Sequence, residues 1–382
     1  MIKRLDVFQA LSPSYLFPEI NRRKELFLKE HSEVKLTNLG IGDTVLPLPQ
    51  AVADALSKAS AELGTPQGYS GYGKDQGDSE LRQKIRETYY PHLSIDEIFI
   101  SDGAKSEIGR LQTLFGGEIV VGLQDPAYPV YLDGSILQGA KKIHFLPCHP
   151  GNNFFPELLP ELDLLYICNP NNPTGVVYTY DELKKLVDYA LKNEVVILYD
   201  GAYAGYIQDE ALPKTIYEIP GADKVAIEVN SFSKLAGFTG IRLGWTVIPK
   251  ALTFDCGHPI WEDYYRFAST IFNGASNIAQ KGGVAVFSEE GWKGIQENIA
   301  YTMENAKWLK KRFLADGYQV YGGENAPYIW VHTPQRYSWD VFQEFLEKKH
   351  LIVTPGKGYG PTGEHFFRVS AFARREAILH II

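Results

Sequence analysis

Five short apolar runs limit what this chain can fold into, because each ends in a polar cluster and is followed by a helical pattern. Ile98 to Ile100 leads into Ser101-Asp102-Gly103-Ala104-Lys105, and Ile119 to Leu123 into Gln124-Asp125-Pro126-Ala127-Tyr128. Leu164 to Cys168 leads into Asn169-Pro170-Asn171-Asn172-Pro173-Thr174-Gly175, and Val195 to Tyr199 into Asp200-Gly201-Ala202-Tyr203. Val225 to Val229 leads into Asn230-Ser231-Phe232-Ser233-Lys234. Apolar runs that alternate with helices predict an α/β fold, a mostly parallel sheet covered by helices on both faces. Asp181 to Asn193 is a sample of the covering helices. Thr179 and Glu182 form a capping box before it, and Leu183, Leu186, Val187, Ala190 and Leu191 make its apolar stripe. Open sheets of this kind bind ligands beyond the carboxyl ends of their strands. One polar tip is also readable as a turn, but five of complementary chemistry predict a site.

The length of 382 residues suggests two domains sharing a core. With 45% apolar and 22% charged residues the composition is that of a soluble globular enzyme. A net charge of −8 without a basic patch argues against nucleic acid or an anionic membrane as partner. No apolar run approaches the roughly 20 residues that span a bilayer. The stretch from Met1 to Tyr15 has Lys3, Arg4 and Asp6 but no long apolar core, so no signal peptide is expected. Cys148, Cys168 and Cys256 lack paired spacing and read as thiols in a reducing compartment, which makes the cytoplasm the expected address. HExxH, CxxC and GxSxG are absent, so neither a metal centre nor a hydrolase elbow is expected; His144, Cys148 and His149 form the one loose cluster. Gly71, Gly73 and Gly77 have the wrong spacing for a dinucleotide fingerprint, and no strand precedes them.

The tips can be read chemically. Ser231, Ser233 and Arg242 offer what a phosphate needs, neutral donors and a bidentate cation. Gly103-Ala104-Lys105 opens a helix, whose free amides hold phosphate oxygens. Lys234 is an amine able to form a Schiff base with an aldehyde. Phosphate and aldehyde together describe pyridoxal phosphate. Asp200 suits a pyridine nitrogen that must stay protonated, Tyr203 and Asn172 suit the phenolic oxygen, and Tyr128 is large and flat enough to stack on the ring. By itself a Ser-x-x-Lys element is also a polar turn with a solvated lysine.

The run from Ser231 through Gly237-Phe238-Thr239-Gly240-Ile241-Arg242-Leu243-Gly244-Trp245 resembles the cofactor-lysine signature of the fold-type I aminotransferases, class I/II. The wording is most similar to the branch that acts on LL-diaminopimelate. The resemblance covers nearly the whole chain. It implies a large cofactor domain over 41–279 and a small domain from 1–40 and 280–382. It assigns Ala104, Lys105, Tyr128, Asn172, Asp200, Tyr203, Ser231, Ser233, Lys234 and Arg242 to pyridoxal phosphate, with Lys234 as the covalent link. It implies a homodimer, with Tyr72 of the GYGKDQG element reaching the neighbour's cofactor phosphate. Substrate contacts are implied at Tyr15, Gly42, Lys105, Tyr128 and Asn172, at Asn273 and Asp75 across the dimer, and at Arg368 for the substrate carboxylate. From residue type alone, Arg368 within an apolar strand is equally a structural ion pair. The implied reaction moves an amino group between LL-diaminopimelate and 2-oxoglutarate. Aspartate, aromatic or alanine aminotransferases share every cofactor residue and stay open as alternatives. A cofactor-binding regulator on the same scaffold would need a DNA-binding segment, for which there is no room before Asn38. One long helical region is expected from Ala279 to Leu314, broken near Gly291.

Overall fold

The computed structural model describes residues 2–12 and 15–381. The chain begins with α1 (Leu16–Glu30), β1 (Thr37–Asn38), α2 (Gln50–Glu62) and α3 (Ser79–Tyr89). The α/β section follows: β2 (Ile98–Ser101), α4 (Ala104–Phe115), β3 (Val120–Asp125), α5 (Pro129–Leu137), β4 (Lys142–Pro147), β5 (Leu164–Cys168), α6 (Tyr180–Asn193), β6 (Val196–Asp200), β7 (Ala226–Ser231), α7 (Phe232–Leu235) and β8 (Gly244–Val247). Helices α8 (Ile260–Ile271), α9 (Asn277–Val286) and α10 (Glu289–Ala315) lead to β9 (Gln319–Gly322) and β10 (Tyr328–His332). The chain ends with α11 (Ser338–Lys349), β11 (Leu351–Ile352), β12 (Thr354–Pro355), β13 (Phe366–Ser370) and α12 (Arg375–Leu379).

Seven strands form the main sheet in the order β2-β8-β7-β6-β5-β3-β4. Strands β3 to β7 pair in parallel, while β8 runs antiparallel to both β7 and β2. The mostly parallel, doubly covered sheet is therefore present, with one reversed strand inside it. Alternate residues face opposite layers. Tyr166, Leu198, Ile227 and Val229 pack against Ile108 and Leu111 of α4 and Tyr264 of α8. Leu165, Ile167, Ile197 and Tyr199 pack against Leu183, Leu186 and Val187 of α6. The capping box of α6 forms: Thr179 Oγ1 accepts from the Glu182 amide at 3.3 Å, and the Glu182 carboxylate accepts from the Thr179 amide at 2.9 Å.

A separate antiparallel sheet, β12-β13-β10-β9, is built from residues after α10. It shares an apolar core with α1, α10 and α11, including Leu16, Phe313, Phe345, Trp330 and Phe367. The helical region before it breaks at residues 287–288, near Gly291. Ser288 caps α10, its Oγ accepting from the Gly291 amide at 3.1 Å, and a Cβ at Gly291 would lie 2.0 Å from the Ala285 carbonyl oxygen. That glycine marks a helix start, because only a residue without Cβ fits the first turn against the preceding helix. No helix among the described residues is long and apolar enough to cross a membrane.

Strand β7 carries a fully buried carboxylate before it reaches the site. Glu228 accepts from the Tyr90 hydroxyl at 2.6 Å, the Asn230 amide at 2.8 Å, the Ile216 backbone amide at 3.1 Å and the Thr215 hydroxyl. Burial pushes its carboxyl up to about 7, against the pull of those four donors. A carboxyl raised by folding contributes stability below its unfolded pKa of about 4.3 and loses that contribution as pH rises through its folded value. Glu228→Gln, which cannot ionise, should therefore gain stability relative to the wild type as pH rises from about 5 to 8, by roughly 3 kcal/mol across the window. Urea unfolding of both proteins at several pH values measures this, and parallel curves would refute it.

Candidate functional site

The carboxyl ends of the parallel strands open into a cavity of about 380 Å³. Asp200 ends β6, Cys168 ends β5 directly beside it, and Ser231 ends β7. The reversed strand β8 explains how Arg242 comes back to the same place, since the loop between α7 and β8 must return along the sheet edge that it left. Arg242 adopts a left-handed backbone with φ of 69°, a strained choice for a side-chain-bearing residue that is common where function demands it. Its guanidinium donates to Ser233 Oγ at 3.4 Å and to the Thr239 carbonyl at 3.0 Å.

Gly103 caps α4 with φ of 120°, and a Cβ there would lie 2.4 Å from Arg242 Nη2. The glycine thus lets the arginine close on the helix N-terminus, where the backbone amides of Ala104 and Lys105 point outward. Ser231 Oγ accepts from the Ser233 amide at 3.0 Å, which leaves its proton free to be donated. Helix amides, two hydroxyls and a guanidinium together make a cradle for a dianion.

Lys234 lies on α7, partly buried, and its Nζ donates to the Gly42 carbonyl. Burial pushes its amine down to about 8; Asp43 opposes this, and Arg368 and Arg242 add to it. A minority of this amine, yet far more than of an ordinary lysine, is therefore neutral near physiological pH. Asp200 is buried, and burial pushes its carboxyl above the ordinary range, while the hydroxyl of Tyr131 (2.6 Å to Oδ2) and the amide of Ala202 (3.1 Å to Oδ1) pull it back.

A second guanidinium closes the cavity from the smaller sheet. Arg368 sits on β13, 1% exposed, between Trp330 and Thr354 on the neighbouring strands. It donates to Asn172 Oδ1 and to the Gly40 carbonyl, each at 2.6 Å, and its charge lies 4.3 Å from the centre of the Tyr328 ring. Among the described residues no carboxylate pairs with it, and its Nε has no partner. The structural ion pair that residue type alone allowed is not formed. Because the oxygen of Asn172 is committed to Arg368, its amide N–H groups are the atoms left for a ligand. Tyr203 and Tyr328 share a hydrogen bond of 2.8 Å between their hydroxyls. Gly42 is forced by this packing, since a Cβ would come 2.2 Å from the Tyr328 hydroxyl.

Gly42, Ala104, Lys105, Tyr128, Asn172, Asp200, Tyr203, Ser231, Ser233, Lys234, Arg242 and Arg368 thus line one cavity. Tyr15 lines the adjoining pocket, which shares Tyr128 with it. Lys105 Nζ lies 5.6 Å from the Tyr15 ring and 6.0 Å from that of Tyr128, so it bridges the two pockets. Tyr72, Asp75 and Asn273 do not reach the cavity of their own chain. Tyr72 is 89% exposed, and Asp75 and Asn273 are exposed as well. Their segments are tied together instead: Asn277 Nδ2 donates to the Gly71 carbonyl at 2.8 Å and to Ser70 Oγ at 3.1 Å, and the Tyr265 hydroxyl donates to Asp75 at 3.3 Å. Sequence reasoning missed Asp43, Tyr131 and Tyr328. Only Tyr131, one helical turn past Tyr128, carried any signal of its own.

The residues present fit pyridoxal phosphate. The cradle that a Cβ at Gly103 would fill suits its phosphate, the buried acid Asp200 its ring nitrogen, and the amine of Lys234 its aldehyde. The model of the family described as aminotransferase class I and II matches residues 34–378. A probable chloroplastic LL-diaminopimelate aminotransferase of Oryza sativa subsp. japonica is 50% identical, over 97% of this chain and 82% of its own length. The LL-diaminopimelate aminotransferase of Protochlamydia amoebophila is 47% identical, over 99% of this chain and 95% of its own. The solved structure of L,L-diaminopimelate aminotransferase from Chlamydomonas reinhardtii superposes with a TM-score of 0.96 at 49% identity, covering 100% of this chain and 97% of that one. With its phosphate cradle, its buried acid and its lysine at the ends of one α/β sheet, the chain belongs to the class I and II aminotransferases.

Proposed function

We propose that this protein transfers an amino group between LL-2,6-diaminopimelate and 2-oxoglutarate, with tetrahydrodipicolinate and glutamate as the products, in the supply of lysine and peptidoglycan precursors. The observation that carries the chemistry is the partly buried Lys234, its amine pushed down to about 8, among Asp200, Arg242 and Arg368. The choice of substrate is supported by the relatives of that name, at 47–50% identity over nearly the full chain.

Class I and II aminotransferases depend on pyridoxal phosphate, which when bound supplies an aldehyde and an electron-withdrawing ring. Arg242, Ser231, Ser233 and the amides opening α4 hold the phosphate, and Tyr72 of the partner subunit adds a donor. Tyr128 covers the ring face. Asp200 holds a proton on the ring nitrogen, and Asn172 and Tyr203 donate to the phenolic oxygen. Arg368 takes the substrate α-carboxylate in a bidentate grip, which orients the α-hydrogen. Lys234 Nζ, neutral in part near pH 8, would take that proton from the substrate α-carbon as general base and, as the ammonium so formed, give it back as general acid from the same side.

The second amino-acid head of diaminopimelate extends toward Lys105 and Tyr15, with Asp75 and Asn273 supplied by the partner subunit. The molecule is accordingly a homodimer with shared active sites. Each chain is divided into a cofactor unit of 41–279 and a smaller unit of 1–40 and 280–382 that brings Arg368. The unpaired thiols Cys148 and Cys168, both buried, support a reducing compartment such as the cytoplasm.

Initial rates with LL- and meso-diaminopimelate, aspartate, alanine and phenylalanine, each with 2-oxoglutarate, test the substrate. Diaminopimelate should win by kcat/KM; preference for aspartate or phenylalanine would replace this reading with another member of the family. Lys234→Ala should lose the visible absorbance of protein soaked with pyridoxal phosphate and nearly all turnover. In cofactor-free protein, acylation of Lys234 followed by peptide mass spectrometry should show a midpoint near pH 8, well below the value of about 10.4 for exposed lysines. A midpoint shared with those lysines would remove the case for a tuned amine. Arg368→Lys gives up the planar fork and should raise KM for both the amino and the oxo acid by about tenfold to a hundredfold, the range for hydrogen bonds to charged groups. Unchanged KM for either would deny Arg368 the carboxylate.

A further inference from the structure

We propose that Tyr131 is a positioning residue for Asp200: its buried hydroxyl holds the carboxylate as an oriented acceptor for the cofactor's ring nitrogen. This rests on the functional reading above, although the coupling of the two residues is measurable without it. Three features support the assignment.

The first is geometry. The Tyr131 hydroxyl lies 2.6 Å from Asp200 Oδ2, and both residues are buried, at 1% and 6% exposure. The Ala202 amide meets Oδ1 at 3.1 Å. Every group that arrives at Asp200 from the protein is thus a donor, which leaves the carboxylate only acceptor capacity to offer.

The second is charge. Among the described residues no cation is paired with Asp200. The titratable side chains around it are Tyr131 and Tyr128 from the start of α5 and Cys168 from the neighbouring strand β5, all with burial pushing them toward their neutral forms. In the protein without cofactor, the negative charge of Asp200 is therefore held by hydrogen bonds alone, and the Tyr131 bond is the shorter. Losing a hydroxyl donor from a sealed carboxylate favours its protonated form.

The third is rigidity. Helix α5 begins at Pro129, with Tyr128 at its N-cap, so Tyr128 and Tyr131 are set by one pre-formed turn. The Tyr131 ring stacks on Tyr166 at 5.0 Å between centroids and meets Tyr128 edge-on at 5.8 Å. A single helical start therefore fixes the cover of the ring and the support of the acid beneath it.

The test is a double-mutant cycle of Tyr131→Phe and Asp200→Asn, with Tyr166→Phe as control. Pyridoxal phosphate affinity is read by protein fluorescence from pH 6 to 9, and stability of the cofactor-free proteins by urea unfolding. Tyr131→Phe should bind the cofactor about tenfold to a hundredfold more weakly near pH 7, the range for a hydrogen bond to a charged group. The deficit should shrink as pH rises, because a carboxyl moved upward regains its charge at higher pH. In the Asp200→Asn background the same change should alter affinity and stability by less than about twofold, since the charge it serves is gone. Tyr166→Phe should leave the pH dependence untouched. Should Tyr131→Phe fold poorly, Asp200→Asn should rescue it, because no buried acid then lacks its donor. Equal losses from Tyr131→Phe in both backgrounds, or a pH-independent deficit, would overturn the proposal. Absence of cofactor binding by the wild type would instead overturn the functional reading, and the stability cycle would still report the coupling.

Discussion

A guanidinium sealed inside a protein requires a counter-charge, and Arg368 finds none in its own chain among the described residues. Neutral oxygens of Asn172 and Gly40 and the face of Tyr328 hold it in place. Desolvating such a charge costs several kcal/mol by rough estimate, which neutral acceptors offset only in part. The same cavity holds Lys105, Lys234 and Arg242 against two acids, Asp43 and Asp200. This surplus of positive charge is the electrostatic image of a ligand pair that brings a phosphate and a carboxylate. It also bears on the reactive amine, because Arg368 and Arg242 both push Lys234 toward its neutral form. The groups that bind the anions thus help to set the basicity of the group that moves the proton.

Holding like charges near one another demands a stiff support. Parallel strands supply it by delivering Cys168 and Asp200 in register at one end of the sheet, with Ser231 just beyond the Val229 that pairs with Asp200. The antiparallel β8 then turns the chain back so that Arg242 meets the start of α4. Two glycines permit the closest approaches, Gly103 under Arg242 and Gly42 under Tyr328. At either position a methyl group would sit within 2.4 Å of a polar side-chain atom that the site needs. Local backbone strain at Arg242 is tolerated because the strands on both sides of it are fixed by the sheet.

The strands with buried runs were legible because both of their faces are covered and so nearly every residue of each run is apolar, the buried Glu228 of β7 being an exception. Strand β4 was not: Lys142 to Pro147 opens on a charge, is mostly half-buried or exposed, and lies at the sheet edge, where one side of the ladder is unpaired. Strand β8 was missed because its four residues follow the lysine loop without a turn signal that announces reversal. The break expected near Gly291 falls at residues 287–288, and the glycine itself belongs to the first turn of the helix that follows, which selects it for lack of a Cβ. At the site, the residues at strand tips were readable from chemistry. Asp43 and Tyr328 were not, because each enters from a segment whose local pattern is an ordinary turn or strand and only the tertiary fold brings it to Lys234 and Arg368. Tyr131 packs its ring among Tyr128 and Tyr166 as a core aromatic does, and only its hydroxyl, bonded to Asp200, sets it apart.

Tyr72, Asp75 and Asn273 raise a different kind of question, since they are ordered beside one another yet leave their own cavity untouched. Asn277 fixes the backbone at Gly71, and Tyr265 holds Asp75, so the face they form is built, not frayed. A tyrosine left 89% exposed on such a face is a surface awaiting a cover. The chemistry of a diamino diacid says what that cover needs to achieve. Its second ammonium requires an acceptor far from the reacting carbon, and neither acid in the cavity is free to serve. Asp200 is sealed beneath Tyr131 and Ala202, and Asp43 acts on Lys234. Asp133, which lines the adjoining pocket with Tyr15, is the acid nearest to that end within the chain itself; on the proposed reading Asp75 of a second copy would join it, so that substrate choice and assembly would be coupled.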